Sequence, residues 1–295
     1  MSTPEIEITG ALLRDWPLPQ PTAYADKDER GRILIVGGSP EMPGTVILAA
    51  LAALRAGAGK VQIATCAGIT TSVGTAVLEG RVFAMPETHG GGIDPAAADA
   101  IIERALQADA VVVGPGMVDE QAIAGLLEQL LPRLDGIPIL LDAGALTVLR
   151  KIHDGGARLH QDIILTPHSS EMAQLLKCEV ARVTGSPLEA IRDAAAKFKT
   201  HIVLKGAETL IIAPDGTLYR HRSGKVGLGT GGSGDTLAGL IGGLLARGAA
   251  PSHAAAWAVF VHARAGDRLS RSVGPLGFLA RELLDEFPSL LVEIE

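Results

Sequence analysis

The chain has 295 residues, of which 47% are hydrophobic and only 3% aromatic, and its 36 glycines favour a closely packed α/β protein over a β-sandwich. It carries a net charge of −7 and has no basic run, which argues against a nucleic-acid partner. The two cysteines, Cys66 and Cys178, have the spacing of neither a zinc site nor a redox motif.

The composition also bears on the compartment. A long chain with so few thiols is typical of a reducing environment. The amino terminus lacks a basic segment followed by an apolar stretch, so no signal peptide is predicted, and the longest apolar run, 46–54, is too short to cross a bilayer. We therefore expect a cytoplasmic protein without a membrane partner.

The order of the predicted elements indicates the fold. Residues 1–30 are polar and rich in proline, which predicts an N-terminal arm that packs on a single domain formed by 31–295. Beyond the arm, short apolar runs alternate with helical segments, a pattern typical of a parallel sheet covered by helices on both faces. The predicted strands are 33–36, 61–64, 82–84, 111–113, 139–141, 163–165 and 202–204. The predicted helices are 44–56, 95–107, 119–131, 187–199, 234–247, 251–270 and 276–287.

A late hairpin interrupts the alternation. The segments 208–213 and 217–220 flank Pro214-Asp215-Gly216, a turn sequence that predicts two antiparallel strands. No linker, repeat or low-complexity tract is evident. The sequence therefore predicts an α/β domain whose central sheet is mostly parallel and ends in an antiparallel hairpin.

Glycine-rich or polar segments follow several predicted strands. In open parallel sheets, ligands bind outside the carboxyl ends of the strands. Each feature has an ordinary alternative, because glycine after a strand often only forms a turn, Asp142 could cap a helix, and His168 could be a loop histidine. Because all of these features follow predicted parallel strands, they lie on the same side of the sheet and together favour one ligand site. The features are Gly37-Gly38-Ser39, Gly114-Pro115-Gly116, Asp142, Thr166-Pro167-His168 and Lys205-Gly206.

The segment 227–236, GLGTGGSGDT, is the most informative part of the chain. A glycine-rich loop before a helix binds phosphate, because its backbone can approach the anion and the first N–H groups of the helix point at it. Gly229 and Gly234 have the spacing that opens a P-loop, but Asp235 stands where a phosphate-binding lysine would follow. An anion site beside a carboxylate base suits phosphoryl transfer to a hydroxyl. The alternative is that Asp235 only caps the helix.

The predicted helix 234–247 contains Gly239, Gly242 and Gly243. Each of these costs about 1 kcal/mol relative to alanine in a helix interior. We therefore expect close packing against a neighbouring element to support this helix. Other motifs are missing from the sequence, since there is no G-x-G-x-x-G fingerprint, no zinc spacing and no nucleophile elbow.

The chain contains a series of ordered motifs, which are GRILIVGGSPEMPG (31–44), LRAGAGKVQIAT (54–65), VVVGPGM (111–117), ILLDAGAL (139–146), ILTPHSSEMAQLL (164–176), IVLKGAETLI (202–211) and GTGGSGDTLAGLIGGLL (229–245). On these motifs it resembles the ADP-dependent NAD(P)H-hydrate dehydratases, a family of the ribokinase-like superfamily of small-molecule kinases. The last motif alone indicates only the superfamily, whereas LDAGAL, TPH and LKG-x-x-T narrow the resemblance to the dehydratases.

The resemblance implies repair of hydrated nicotinamide cofactors. The (6S)-hydrate of NADH or NADPH would lose water at the expense of ADP or ATP, through phosphorylation of the ring hydroxyl and elimination of phosphate. Asp235 would be the base, and the segment from Gly231 to Gly234, which includes Gly232, would be the anion hole for the transferred phosphate. The implied contacts are Thr45, Gly116, His168 and Asp235 for the hydrated dinucleotide, and Lys205, Gly206, Ala207, Glu208, Thr209 and Gly234 for the adenine nucleotide.

The sequence departs from the family pattern at two places. Ser169-Ser170 stand where the family usually has Pro-Gly, which we expect to make the loop after His168 less rigid. Thr45 replaces a more common alanine and would add a hydroxyl to the substrate pocket. The epimerase domain that often precedes this module is not expected. A separate epimerase in the same pathway would therefore interconvert the R and S hydrates, or spontaneous epimerisation would have to suffice.

Two other functions stay open at this point. A kinase of the same superfamily, acting on a vitamin-precursor alcohol or a sugar, would have the same loop and the same Asp235. A nucleotide sensor without enzymatic activity would keep the glycines but would not need Asp235. No residues are assigned as metal ligands, yet we expect Mg²⁺ to be required and held mainly through the nucleotide phosphates. We also expect a homo-oligomer.

Overall fold

The computed structural model describes residues 5–22, 24, 26–27, 29–222 and 224–295. Residues 1–4, 23, 25 and 28 of the predicted arm lie outside this part. Within the described residues, ten strands form one sheet. They are β1 (Glu5–Glu7), β2 (Arg32–Val36), β3 (Lys60–Cys66), β4 (Gly80–Met85), β5 (Ala110–Val113), β6 (Ile139–Leu141), β7 (Ile163–Leu165), β8 (His201–Leu204), β9 (Thr209–Ile212) and β10 (Leu218–His221).

The sheet confirms the predicted topology. Its spatial order is β1-β10-β9-β8-β7-β6-β5-β2-β3-β4. The strands from β8 to β4 run parallel, and β9 is antiparallel to both of its neighbours. In the turn of the hairpin, Gly216 has a φ of 88°, a conformation that glycine adopts without strain.

The arm contributes an edge strand that the sequence did not predict. β1 pairs in parallel with β10, with Ile6 opposite Tyr219. The Glu5 carboxylate lies 2.7 Å from the Arg220 guanidinium. A short helix, α1 (Gly10–Arg14), follows and was also not predicted. The beginning of the chain is thus tied to the late hairpin.

Twelve α-helices are present in the described part of the chain. Their mutual contacts divide most of them into two groups that cover the two faces of the sheet, one around α2, α10, α11 and α12 and the other around α5, α6, α7 and α9. None of the described helices is both long enough and apolar enough to cross a membrane. After α1 the helices are α2 (Pro43–Arg55), α3 (Thr70–Ala76), α4 (Ala98–Ala105), α5 (Glu120–Leu130), α6 (Gly144–Asp154), α7 (Ser169–Leu176), α8 (Val180–Gly185), α9 (Pro187–Phe198), α10 (Ser233–Ala246), α11 (Pro251–Ser272) and α12 (Ala280–Ile294).

The glycines inside α10 allow the close packing that the sequence required. A Cβ on Gly239 would lie 2.1 Å from the carbonyl oxygen of Ala49 in α2, and one on Gly243 would lie 2.7 Å from the Cβ of Ala56. A Cβ on Gly242 would lie 2.5 Å from Val112 of β5. The glycines lower the helix propensity of α10. Because they have no side chains, however, α10 can lie directly against α2 and the sheet.

Several helices differ from the predictions. The helix predicted over 276–287 runs instead from Ala280 to Ile294, because Pro288 is accommodated inside it rather than ending it. The helix predicted over 95–107 starts with a 3₁₀ turn, which Asp94 caps by accepting from the N–H of Ala96. The helices α3, α6, α7 and α8 were not predicted at all.

Candidate functional site

The carboxyl ends of β6, β7 and β8 bring three of the predicted strand-end features together. The Lys205 ammonium, after β8, lies 2.8 Å from Oδ1 of Asp142, after β6. The Thr166 hydroxyl, after β7, donates to the same oxygen at 2.7 Å. Asp142 is only 2% exposed, so its carboxylate is held by a cation and a hydroxyl in a buried position. It does not cap a helix, since Ala143 occupies the N-cap of α6 without a side-chain bond.

The glycine-rich loop leads into α10 with a turn that only glycine adopts easily. Gly232 is the N-cap, has a φ of 90° and leaves the cap without a side-chain hydrogen bond. Asp235 is therefore the third residue of the helix, and the alternative that it is the capping residue is wrong. The unpaired N–H groups at this helix start can bind an anion.

Asp235 lies in a charged and partly buried environment. Burial and then the Asp142 carboxylate raise the pKa of Asp235 to about 7, although the Lys205 ammonium lowers it. Burial lowers the pKa of Lys205, but the carboxylates of Asp142 and Glu171 outweigh that effect and raise it above its ordinary value. The site thus combines a fixed cation with a carboxyl group that changes protonation near neutral pH.

A cavity of about 630 Å³ opens beside this charged group, a volume typical of small-molecule sites. Lys205 stands at its boundary with the glycine-rich loop, since a Cβ on Gly234 would lie 3.5 Å from the Lys205 Nζ. The cavity is lined by His168, Lys205, Gly206, Ala207, Thr209, Gly224, Lys225, Val226, Leu228, Gly229, Thr230, Ser233, Gly234, Leu237, Val259, His262 and Ala263. Another cavity, of about 600 Å³, lies near the amino ends of β2, β5 and β6, and none of the predicted site residues lines it.

Glu208 differs from the residues around it. It was expected to contact the nucleotide together with its neighbours, but it does not line this cavity. Its carboxylate points instead toward Arg220, at 3.5 Å, and Arg222, at 3.9 Å. The structure thus brings the other predicted nucleotide residues to the cavity and leaves Glu208 outside it.

His168 is fixed in place by the start of α7. Its Nδ1 accepts from the N–H groups of Ser170 at 3.1 Å and Glu171 at 3.2 Å. In return, Oε2 of Glu171 accepts from the N–H of His168 at 2.8 Å, which completes a capping box. Since Nδ1 is an acceptor, Nε2 carries the proton. Ser169 and Ser170, which were expected to make this loop less rigid, form the first turn of α7.

Thr45 and Gly116 form a second part of the site, apart from the cavity. Gly116 has a φ of 69°, and a Cβ there would lie 2.1 Å from the Thr45 hydroxyl oxygen and 3.2 Å from Gly38. The Thr45 hydroxyl donates to the carbonyl oxygen of Met42 at 2.8 Å. The hydroxyl that distinguishes this sequence is thus used to fix the start of α2.

Two parts of the site could not be assigned from the sequence. Glu171 was considered only as an acid at a helix start, yet its Oε2 lies 3.9 Å from the Lys205 Nζ. Its position three residues after His168 was the available signal, since this is the spacing of a capping box. His262 lines the cavity and its Nε2 lies 3.1 Å from the carbonyl oxygen of Ser233. It lies inside a long helix, without any local motif.

Comparisons with known proteins show which family the chain resembles over most of its length. Residues 33–289 match the family model described as NAD(P)H-hydrate dehydratase. The chain is 43% identical to an ADP-dependent (S)-NAD(P)H-hydrate dehydratase from Xanthomonas campestris, over 99% of this chain and 98% of that protein. Its structure is similar to that of an ADP/ATP-dependent NAD(P)H-hydrate dehydratase from Bacillus subtilis co-crystallised with ATP and Mg²⁺, with a TM-score of 0.83, 28% identity and complete coverage of both chains.

The fold itself is that of a wider superfamily. A ribokinase-like superfamily protein from Enterococcus faecalis superimposes with a TM-score of 0.85 at 24% identity, over 98% of this chain and 96% of the other. The ribokinase-like fold predicted from the sequence is thereby confirmed. Within that fold, the family match and the relative of nearly equal length are decisive, and the chain belongs to the NAD(P)H-hydrate dehydratase family.

Proposed function

We propose that this protein dehydrates the (6S)-hydrate of NADH or NADPH, consuming ADP or ATP, and so restores the reduced cofactor. One observation carries the assignment of roles. Asp235 follows the glycine-rich loop directly and lies in the field of Lys205, which also lines the cavity. A carboxyl group next to an anion site, with a cation beside it, is the arrangement that phosphoryl transfer to a hydroxyl requires.

The nucleotide would occupy the cavity with its phosphates toward Gly234 and Lys205. Lys205, Gly206, Ala207 and Thr209 line the cavity from one side. Their backbone and the Lys205 ammonium would orient the terminal phosphate at the start of α10, where the helix dipole favours negative charge. Glu208 does not line the cavity, so no role in nucleotide binding is proposed for it.

The hydrated dinucleotide would approach from the side of Gly116 and Thr45. His168 would donate a hydrogen bond from Nε2, since its Nδ1 is occupied by backbone donors. Asp235 would take the proton of the ring hydroxyl while the hydroxyl oxygen forms a bond to the terminal phosphorus of the nucleotide. The bond from that phosphorus to the bridging oxygen would break, so that AMP leaves when ADP is the donor and ADP leaves when ATP is the donor. The phosphate then leaves with the electron pair of the C–O bond, and loss of a proton from the adjacent ring carbon restores the double bond.

Mg²⁺ would enter with the nucleotide. Within the described part of the chain, no three His, Cys, Asp or Glu side chains are grouped to hold a metal ion. Magnesium commonly keeps several waters and binds through substrate phosphates, so the donor set of a nucleotide fits it. When bound, it neutralises part of the charge on the phosphates.

The reaction itself provides the test. The protein is incubated with Mg²⁺, ADP or ATP, and hydrated NADH, while the absorbance of reduced nicotinamide and the release of phosphate are followed. We expect both signals to rise together. A superfamily kinase would leave the hydrate unchanged and would phosphorylate a small alcohol or sugar supplied in its place. A sensor would bind nucleotide without turnover.

The proposed reaction also implies a partner enzyme and a compartment. The site would act on one epimer of the hydrate, so a separate epimerase is proposed to convert the other. Because NADH and NADPH are used in the cytoplasm, we propose that the protein acts there. We also propose that it forms a homo-oligomer, which sedimentation at several protein concentrations would test.

A further inference from the structure

We propose that Asp142 is a positioning residue for this reaction, because it holds the Lys205 ammonium beside the glycine-rich loop and its negative charge makes Asp235 a stronger base. The proposal rests on the assignment of Asp235 as the base. It gives a role to a buried carboxylate that touches neither the cavity nor the start of α10.

The backbone around Asp142 is built to fix it. The next residue, Ala143, has a φ of 46° and a ψ of −119°, a region that an alanine adopts only with strain. A Cβ on Gly114 would lie 1.8 Å from the Asp142 carbonyl oxygen, and one on Gly144 would lie 2.3 Å from the carbonyl oxygen of Met117. The turn after β6 thus packs closely against the segment that follows β5, and strained turns of this kind are concentrated at functional sites.

The polar partners of Asp142 are equally specific. Oδ1 accepts from the Thr166 hydroxyl at 2.7 Å and from the Lys205 ammonium at 2.8 Å. The Lys205 side chain is 19% exposed, and its other carboxylate neighbour, Glu171, is more distant at 3.9 Å. Asp142 is therefore the main partner that determines where the Lys205 ammonium rests.

Several charged groups act on Asp235, from three elements around α10. Asp142 after β6 and Glu171 in α7 disfavour its ionised form, whereas Lys205 after β8 favours it. Burial has the largest effect on the pKa of Asp235, and Asp142 has the largest effect among these charges. Removing the Asp142 charge would also leave Lys205 less compensated. Both changes act in the same direction and make Asp235 ionise at lower pH.

The test is Asp142→Asn, which keeps an oxygen for Thr166 and Lys205 and removes only the charge. The acidic limb of the pH profile of kcat should move to lower pH by about one unit. Because a weaker base transfers protons less well, kcat on the plateau should fall by less than about tenfold. Thr166→Val is the matched control, since it removes one hydrogen bond to Asp142 and leaves the Asp142 charge. The acidic limb of its pH profile of kcat should stay at the same pH.

A direct titration separates this proposal from that of the base. The ¹³C carboxyl signal of Asp235, identified by its absence in Asp235→Asn, should titrate at lower pH in Asp142→Asn than in the unchanged protein. An unchanged midpoint would overturn the proposal, whatever happens to activity. If the midpoint moves and the kcat limb does not, the assignment of Asp235 as base fails instead. Asp142→Ser, which is smaller and also uncharged, carries the same expectation if Asp142→Asn does not fold.

Discussion

Asp235 combines two properties that a general base needs at the start of a helix. It is free of a capping role, since Gly232 is the N-cap, and its pKa is raised to about 7 by burial and by Asp142. A base is most effective when its pKa lies near the working pH, because it is then both available and strong. The sequence could place Asp235 after the loop but could not show either property.

The substitution Asp235→Asn tests the role of this residue. Asparagine has the same size and cannot accept the substrate proton, so kcat should fall by about 10²- to 10⁴-fold. The nucleotide dissociation constant should stay the same or decrease slightly, because a negative charge near the phosphates is removed. The matched control is Asp94→Asn, which changes a capping carboxylate that does not line the cavity and should keep kcat. A normal kcat in Asp235→Asn would contradict the assignment.

The raised pKa of Asp235 also predicts how stability depends on pH. The unfolded chain has an ordinary aspartate pKa near 4, whereas the folded protein holds the proton up to about 7. Between these values the folded state binds more protons, so the contribution of Asp235 to stability is lost as pH rises. Asp235→Asn removes this effect. Its Tm relative to the unchanged protein should be higher at about pH 8 than at about pH 5, whereas an equal difference at both would argue against a raised pKa.

At the scale of elements, α10 uses glycine for two different purposes. Gly239 and Gly243 bring the helix against α2, whereas Gly234 leaves room near the Lys205 ammonium. Gly232 is less informative as a test position, because a Cβ there would lie 2.5 Å from Leu48 and its φ is positive. Substituting Gly239 and Gly234 in the same helix therefore separates the packing of α10 against α2 from the binding of phosphate at its start.

We predict opposite outcomes for Gly239→Ala and Gly234→Ala. The new methyl group at 239 would meet backbone atoms of Ala49, and such overpacking costs about 1–3 kcal/mol, which denaturant unfolding would measure. The methyl group at 234 would meet only the Lys205 Nζ at 3.5 Å, so stability should hold or improve by up to about 1 kcal/mol. Turnover of Gly234→Ala should nevertheless fall about tenfold or more, since the backbone approach to phosphate is blocked. Equal effects of both variants on stability would refute this division.

The sequence predicted strands better than helices, for a physical reason. Parallel strands such as β6 and β7 are buried on both faces, so they stand out as apolar runs, and both were predicted with their observed bounds. The helix α7 is short and begins directly at a motif whose residues suggested a loop. The Asp142–Lys205 pair joins residues 63 positions apart, which no local pattern reveals. The chemistry of the loop was therefore predictable, but its electrostatic environment was not.

At the scale of the whole molecule, the carboxyl ends of the parallel strands position the residues proposed to bind the nucleotide and those proposed to bind the dinucleotide. The ends of β6, β7 and β8 supply Asp142, Thr166 and Lys205, and α10 and α11 close the cavity from one side. Thr45 and Gly116 lie together near the end of β2 and do not line the cavity. The proposed function has the nucleotide and the dinucleotide meet at the start of α10, where Asp235 is located.

The charges at this meeting point predict a requirement for a divalent cation. The carboxyl groups of Asp142, Glu171 and Asp235 lie around the Lys205 ammonium, so added phosphate groups would face repulsion from these carboxylates. Mg²⁺ bound to the phosphates would reduce it. Exhaustive chelation should therefore abolish turnover and also the rise in Tm caused by nucleotide, which corresponds to about 2.7 kcal/mol at 100 times the dissociation constant. Added Mg²⁺ should restore both effects, and Glu208→Gln, outside the cavity, should behave like the unchanged protein. Full activity after chelation would rule the requirement out.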